Sequence, residues 1–404
     1  MKRQFWTLRY TLINVFYFAA FCTIHGFATV FLLDKGFSNT LVGITLALSN
    51  ILSVIGQPVV AAIVDRSPKI TNRKVLIGVA VVMLLCSLLL SFVKSNIPVI
   101  FIFYVINFTV QFIGMSNLIA ISFEYEAKGC RHNFGLARGL GSASFAVTSA
   151  IMGPIIARKT PVVDMYVTVA FMALMAMVVF FFRLPDDGVN VSLEKKEFPK
   201  GEEPSNNIFE FIRRYPFFVL FALATALCFF SHNMLNDYLI QIIRNLGGDE
   251  AHLGYASFLQ AILELPVMAL IVYVFRRINV RWVIIVSAVA FFVKVVVMYF
   301  ATSLGGMYAS QSFQLFAYAV FIPAAAYFSD EVMREGDKVK GQAYINSATT
   351  LGGVFSNLVC GRVLDKRGVS PMILLGVLVC AVGVAVMAIA MMQSKRVNVH
   401  GREE

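Results

Sequence analysis

The stretch Asn133-Phe-Gly-Leu-Ala-Arg138-Gly-Leu-Gly-Ser-Ala-Ser-Phe145 places an arginine at the start of an apolar segment that is rich in small residues. Small residues let helices approach closely inside a bilayer. An arginine at the start of such a segment needs a partner, and Glu124 and Glu126 precede it by about one loop. The stretch therefore predicts a tightly packed membrane helix whose Arg138 pairs with this acidic region.

The composition places the whole chain in a membrane. Its mean hydropathy is +0.76, and only 14% of its residues are charged, whereas a soluble domain has about 25%. Twelve apolar runs are each long enough to span a bilayer: 9–33, 41–64, 75–93, 97–123, 139–157, 162–182, 216–243, 251–275, 282–302, 306–328, 342–361 and 370–392. We predict an all-α membrane protein with twelve transmembrane helices.

A polar, charged segment rich in proline and glycine divides these runs into two blocks of six. It spans residues 183–214, and its low hydrophobicity is typical of a flexible linker. The blocks echo one another, because Gly135-x-Ala137 is expected to open the fifth helix, just before its apolar run, and Gly341-x-Ala343 the eleventh. Such parallel halves are typical of alternating-access transporters. We predict a six-helix bundle at residues 1–182, a cytoplasmic linker at 183–214, a second, pseudo-symmetric six-helix bundle at 215–394 and a tail at 395–404.

The basic residues set the expected orientation. If the N-terminus is cytoplasmic, 25 of the 34 lysines and arginines fall on the inner side, as the positive-inside rule requires. We expect both termini and the linker to be cytoplasmic, and the lack of a targeting extension favours a bacterial inner membrane. The net charge of +11 is then a topology signal, because the basic residues are spread over many loops. We expect no nucleic-acid partner, and a monomer in the lipid bilayer.

Two acids and a lysine interrupt otherwise apolar runs in the second block: Asp237, Glu264 and Lys294. Each costs about 2.5–3.5 kcal/mol at the centre of a lone membrane helix, so it is expected to line a cavity or find a partner. Glu264 and Lys294 fall near the same depth and are expected to pair. A desolvated carboxyl group there can take up and release protons near neutral pH. We predict Glu264 and Asp237 as proton-coupling residues, with a purely structural ion pair as the alternative.

Two further polar residues lie within the first block. His25 lies past the middle of the first run, where it either faces a cavity or packs against a neighbour. Asn117 belongs to an amide-rich stripe on the fourth run, and this stripe is expected to face the bundle interior. Both residues are candidates for binding a solute.

Two segments carry a resemblance to a known family. The pattern Asn133-Phe-Gly-x-x-Arg138-x-x-Gly-Ser142, after an acidic helix end, resembles the fifth-helix entry of the galactoside, nucleoside and phenylpropionate permeases of the major facilitator superfamily. Between the second and third runs, one acid and three basic residues resemble the loop signature of that superfamily: Asp65, Arg66, Arg73 and Lys74. Ala61 stands where that signature has a glycine. The resemblance implies an ion-pair latch that gates transport. A simple basic anchor is the alternative.

The same resemblance implies roles for individual residues. Arg138 and Lys294 match arginines of the family and would donate hydrogen bonds to the solute, while Phe145 would offer it a stacking face. Glu264, before Leu-Pro266, looks like the family's eighth-helix acid. The tenth run departs from the lactose type, since it has neither the histidine nor the glutamate of that proton site. Two more substrate-binding candidates complete the set: Gln260 and Gln314.

These observations favour a proton-coupled symporter of an oligosaccharide, glycoside or nucleoside. The alternative is a proton-driven antiporter that exports drugs or other amphipathic compounds, favoured by Ser149-x-x-x-Gly153-Pro154 and by 37 phenylalanines and 17 methionines. No nucleophile elbow, phosphate loop or metal-ligand pair indicates an enzyme. The six cysteines have no spacing of a metal site or disulfide framework. We expect no cofactor, with a proton gradient as the driving force. A transporter-derived sensor would have the same sequence features, and flux alone separates the two.

Overall fold

A computed structural model describes residues 2–67, 69–183, 204–205 and 207–394. Helices account for nearly all of this part of the chain, in the order α1 (Lys2–Phe21), α2 (Ala28–Asp34), α3 (Asn39–Arg66), α4 (Asn72–Phe92), α5 (Ile97–Ala127), α6 (Phe134–Arg158), α7 (Val163–Phe181), α8 (Ile208–Arg214), α9 (Pro216–Asp237), α10 (Leu239–Asn245), α11 (Glu250–Phe275), α12 (Val280–Phe300), α13 (Leu304–Ser312), α14 (Tyr318–Val332), α15 (Lys338–Arg367) and α16 (Val369–Ser394). The all-helical prediction is confirmed.

The apolar runs predicted as spans each coincide with helices. Ten helical segments within the described residues are long and apolar enough to cross a membrane. The other two predicted spans coincide with α11 and α15, which have 26 and 30 residues. Three spans are interrupted: a π-helix, Cys22–Gly26, follows α1, a kink at Tyr238 separates α9 from α10, and a 3-10 turn, Phe313–Leu315, separates α13 from α14.

Polar side chains set several helix starts. At the N-terminus of α6 the side chain of Asn133 accepts a hydrogen bond from the Leu136 N–H at 2.9 Å. Ser38 and Thr71 do the same at the starts of α3 and α4. Such capping satisfies one of the backbone N–H groups that a helix leaves unpaired. The stretch 133–145 therefore starts its helix at Phe134, five residues before the apolar run 139–157 predicted there.

Residues Met1–Leu193 and Gly248–Ile262 form one compact unit, which we call the first unit. Small residues allow its helices to pack closely. A Cβ atom on Gly141 would lie 2.7 Å from the Phe18 ring on α1, and one on Gly153 would lie 2.9 Å from the Gly254 Cα on α11. Contacts this short exclude any larger side chain unless the backbones move. The core around them is rich in buried aromatic residues, such as Tyr17 and Tyr104.

Residues Glu194–Gly247 and Leu263–Glu404 form the second unit. At one end of it, the fully buried carboxylate of Asp337 joins the segment before α9 to the loop between α14 and α15. It accepts hydrogen bonds from the Ser205 N–H (2.7 Å) and hydroxyl (2.8 Å), from Arg214 (2.6 Å) and from the Tyr215 hydroxyl (3.2 Å). Burial alone raises the pKa of Asp337, but the bonds from Ser205 and Arg214 outweigh burial and hold that pKa below its usual value.

Part of the predicted linker 183–214 is therefore ordered. The last seven residues of the linker form α8. This helix places Phe211 in the core of the second unit and leaves Phe209 exposed. Residues 184–203 and 206 of the linker, and the predicted tail 395–404, lie outside the described residues.

Candidate functional site

A continuous chain of polar groups crosses the interior of the second unit. The Lys294 side chain on α12 is fully buried, and its Nζ donates a hydrogen bond to Gln314 Oε1 at 2.8 Å. Gln314 Nε2 in turn donates to Glu264 Oε1 on α11 at 3.0 Å. The lysine and the acid that the sequence singled out are thus joined through an amide. We call these three residues the polar chain.

The break between α13 and α14 brings Gln314 to this position. Ser310 Oγ donates to the Lys294 backbone carbonyl at 2.7 Å, which fixes α13 against α12. The 3-10 turn Phe313–Leu315 then directs the buried Gln314 side chain toward both neighbours. A buried ammonium group is costly unless polar partners surround it, so the amide and the carboxylate help to hold Lys294 in place. Gln260 precedes Glu264 by one helical turn and shares its face of α11.

His232 and Asp237 lie on α9 in the same unit. The His232 ring stacks on Tyr318, with centroids 5.1 Å apart and planes 11° apart, and its Nε2 lies 3.0 Å from Asn236 Nδ2. At the end of α9, Tyr238 donates a hydrogen bond to the Asn357 carbonyl on α15 at 2.9 Å. The neighbouring Asp237 is half-buried beside this contact. Its proton-coupling role stays a prediction.

The first unit brings His25 and Phe145 into one aromatic cluster. His25 stacks on Phe21, with ring centroids 3.9 Å apart and ring planes 11° apart. Its ring centroid also lies 3.8 Å from that of Phe108 and 4.6 Å from that of Phe112. Phe145 lies 6.3 Å from Phe21. We call these five residues the aromatic cluster. His25 Nε2 is buried, and it finds no hydrogen-bond partner in the described part of the chain. Phe21 and Phe112 were not among the predicted site residues, because phenylalanine is common in membrane helices.

Arg138 lies beside this cluster. Its guanidinium carbon is 4.1 Å from the centroid of the Phe18 ring, and its Nη1 donates to Ser142 Oγ at 2.9 Å, one turn along α6. Phe18 in turn lies 6.1 Å from Phe21. A cation over a ring face is attracted by the ring quadrupole, so Phe18 positions the arginine. Arg138 and Phe145 on α6 and His25 in the π-helix thus belong to neighbouring groups.

Glu124 and Asn117 make hydrogen bonds within the first unit. Glu124 accepts a hydrogen bond from Asn72 at 3.0 Å and so ties α5 to α4, whereas Glu126 is exposed. Asn117 donates to the Ile113 carbonyl of its own helix at 2.9 Å. The pairing of Arg138 with the acidic region stays a prediction.

The predicted latch between α3 and α4 shows contacts to backbone carbonyls. Arg73 donates to the Phe180 carbonyl at 3.0 Å, and Lys74 donates to the Lys69 carbonyl at 2.6 Å. Asp65 and Arg66 are exposed at the end of α3. A gating role for these four predicted residues remains a prediction.

Bundles of long apolar helices, with charged groups buried in their interior, are the architecture of a polytopic membrane protein. The family model described as the MFS_1 like family matches residues 6–375, and the chain belongs to this family of the major facilitator superfamily. No curated protein is significantly similar to the chain in sequence.

Solved structures of the same fold agree with this assignment. The nucleoside transporter NupG, in a mutant form, is 13% identical, with a TM-score of 0.79 over 96% of this chain and 99% of the other. A bacterial homologue of the human lysosomal transporter Spinster is 13% identical, with a TM-score of 0.72 over 98% of both chains. A mutant of the peptide transporter POT is 9% identical, with a TM-score of 0.73 over 96% and 94%. These likenesses show the fold, and the chain is a transporter rather than an enzyme.

Proposed function

We propose that this transporter is a proton-coupled symporter that carries a small polar solute, such as an oligosaccharide, glycoside or nucleoside. The polar chain supports the proposal most directly, because it places a protonatable carboxyl group in hydrogen-bond contact with the partner of a buried lysine. We further propose that the protein lies in a bacterial inner membrane with both termini in the cytoplasm.

The polar chain offers a physical route to coupling. As a carboxylate, Glu264 accepts the hydrogen bond of the Gln314 amide. When Glu264 takes up a proton, it loses its charge, and charge-assisted hydrogen bonds are about twice as strong as neutral ones. The Gln314 amide is then held more weakly and can turn toward a solute, so that proton and solute are bound together. Glu264 is only half-buried, which gives it access to a proton donor.

The first unit offers groups that suit a ring-shaped solute with hydroxyl groups. Arg138 is a hydrogen-bond donor that Phe18 and Ser142 hold in place. Phe145 and Phe21 are half-buried and offer ring faces. Sugars and nucleosides have both an apolar face and hydroxyl groups, and they are the solutes to test first. One structural neighbour, NupG, is a nucleoside transporter, and this supports including nucleosides.

Gradient-driven uptake and exchange separate the two roles. In proteoliposomes with an imposed proton gradient, Glu264→Gln is expected to lose accumulation of labelled solute while keeping exchange of internal for external solute, because exchange needs no proton release. Arg138→Ala is expected to lose both, because it removes a solute contact. The matched controls are Glu250→Gln, in the first turn of the same helix, and Arg131→Ala, in the exposed loop before α6. Full accumulation by Glu264→Gln contradicts the proposal.

A proton-driven exporter of amphipathic compounds is the second candidate. The observation that favours it is the aromatic cluster, whose ring faces suit apolar compounds as well as sugars. An exporter lowers the accumulation of fluorescent drugs in cells that overexpress it, whereas a symporter leaves drug accumulation unchanged.

A further inference from the structure

An acid outside the groups described above is buried in the first unit. Asp164 lies in the first turn of α7, and its side chain is fully shielded from solvent. Neither carboxyl oxygen has a hydrogen-bond partner among the described residues. A buried polar group without a partner is unusual in folded proteins and calls for an explanation.

The backbone donors nearest to this carboxyl group are already used. At a helix start, free N–H groups often bond a carboxylate. Here the chain enters α7 through a tight turn, in which three successive N–H groups donate to carbonyls three residues earlier, at 3.0–3.1 Å: Val163 to Thr160, Asp164 to Pro161 and Met165 to Val162. The N-terminus of α7 therefore gives the side chain little direct stabilisation.

The nearby hydroxyl groups also have other acceptors. Thr168 Oγ1 lies 2.7 Å from the backbone carbonyl of Asp164 and 2.7 Å from Thr23 Oγ1, and the latter lies 2.9 Å from the Ala20 carbonyl. The Tyr104 hydroxyl donates to the Ile24 carbonyl at 2.7 Å. Among the described residues, an ionised carboxylate would thus be buried without a cation or a donor, and the helix dipole contributes less than such burial costs. The neutral acid is the form that this site accommodates.

The groups that face Asp164 from the surrounding helices do not supply a counter-charge. Cys22 in the π-helix and Tyr104 on α5 lie close enough to interact electrostatically with it, and both are neutral at pH 7 in their ordinary forms. Three other helices pack against α7. The cations Arg9 on α1 and Arg73 on α4 bond the Phe181 and Phe180 carbonyls at the opposite end of α7 from Asp164, and the other titratable group that α4 buries is Cys86. Arg158, at the end of α6, and the following Lys159 are both exposed.

The π-helix Cys22–Gly26 connects this acid to the aromatic cluster. Cys22 lies near Asp164, and Thr23 contacts Thr168, one helical turn further along α7. His25, in the same five-residue segment, stacks against Phe21. π-helices are rare and occur frequently at functional sites. A movement of this segment would change the environment of the acid and of the aromatic cluster at once.

We propose that Asp164 is a proton-binding site of the first unit, which holds its proton in this conformation and releases it when the π-helix moves and admits water or a hydrogen-bond donor. The ligand is the proton, which leaves the carboxyl oxygen as the carboxylate forms. The site is independent of the role proposed for Glu264, so either can fail without the other.

Infrared difference spectroscopy of the purified full-length protein tests the protonation state directly. At pH 7, the spectrum of the wild type minus that of Asp164→Asn is expected to contain the C=O stretching band of a weakly hydrogen-bonded carboxylic acid. The matched control is Glu335→Gln, whose parent side chain is 58% exposed and ion-paired, so its difference spectrum shows carboxylate bands instead. Asparagine has the shape of the neutral acid, and we expect Asp164→Asn to keep the wild-type melting temperature.

Carboxylate bands in the Asp164 difference spectrum overturn the proposal. If those bands appear only when sodium is present, the site binds sodium rather than a proton, which also overturns it. If Asp164→Asn is not recovered in folded form, the same acid band is sought in the spectrum of the double variant Asp237→Asn, Glu264→Gln. This variant lacks the other two acids that interrupt the apolar spans, so that Asp164 remains as the source of the band. Its absence from that spectrum refutes the proposal.

Discussion

Replacing Asp337 with asparagine is expected to destabilise the second unit by about 3 kcal/mol. Asparagine keeps one acceptor oxygen for Ser205 but directs an NH₂ group at Arg214 and Tyr215, which are themselves donors. Losing a charge-assisted bond costs about 1.5–3 kcal/mol, and losing a neutral bond costs about 0.5–1.5 kcal/mol. The Arg214 side chain is 19% exposed, so water can replace part of the lost hydrogen bonding. The total destabilisation therefore stays below the upper limit for breaking a fully buried ion pair.

The same substitution has a defined pH dependence. The pKa of Asp337 is below its usual value, because the bonds from Ser205 and Arg214 outweigh the effect of burial. Its contribution to stability is therefore complete above the pKa of the unfolded chain, about 3.9, and is lost as the pH falls through the lower folded value. The difference between wild type and variant should be constant near neutral pH and should shrink below about pH 4.

Thermal unfolding of the detergent-solubilised protein checks both statements. A loss of about 3 kcal/mol corresponds to a fall in melting temperature of about 6–12 °C on the scale of a 150–250-residue domain. The control is Glu335→Gln in the same loop, which removes an exposed ion pair with Lys338 and is expected to change stability little. A wild-type melting temperature for Asp337→Asn at pH 7 refutes this reasoning. So does a difference that persists unchanged in acid.

Two further predictions concern the helix crossing and the polar chain. Gly254→Ala is expected to lower the melting temperature, because the new Cβ meets the Ser149 carbonyl and lies 2.9 Å from the Gly153 Cα. The control is Gly139→Ala, whose new Cβ has open space around it. Equal melting temperatures for the two variants contradict the prediction. Lys294→Met is expected to lower the melting temperature, because it leaves the buried Gln314 Oε1 without its hydrogen-bond donor. It should also reduce uptake of labelled solute at least tenfold, and normal uptake shows that the polar chain is not used.

The sequence predicted the fold well because the bilayer imposes simple length and hydropathy requirements. Each of the twelve apolar runs coincides with helices, and Glu264 and Lys294 were identifiable because charges are rare in such runs. Two residues of the polar chain thus followed from sequence alone. Gln314 was a candidate, but its bridging position depends on the 3-10 turn between α13 and α14, which has no clear sequence signal.

Other features depend on tertiary packing that periodicity does not reveal. The aromatic cluster combines rings from α1, α5, α6 and the π-helix, and none of these segments alone distinguishes Phe21 from a packing phenylalanine. Asp164 was missed for a different reason. It lies two residues inside the predicted run 162–182, where a charged residue is expected at the membrane surface, yet its side chain is completely buried.

The most direct test of proton symport is the internal pH of proteoliposomes that contain the protein. Disaccharides, nucleosides and aromatic acids are added outside one at a time, and a trapped dye reports the pH of the lumen. We predict that at least one disaccharide or nucleoside acidifies the lumen, and that Glu264→Gln abolishes the acidification. Solute entry without acidification contradicts proton symport, and so does outward drug movement in exchange for protons, which indicates the exporter instead.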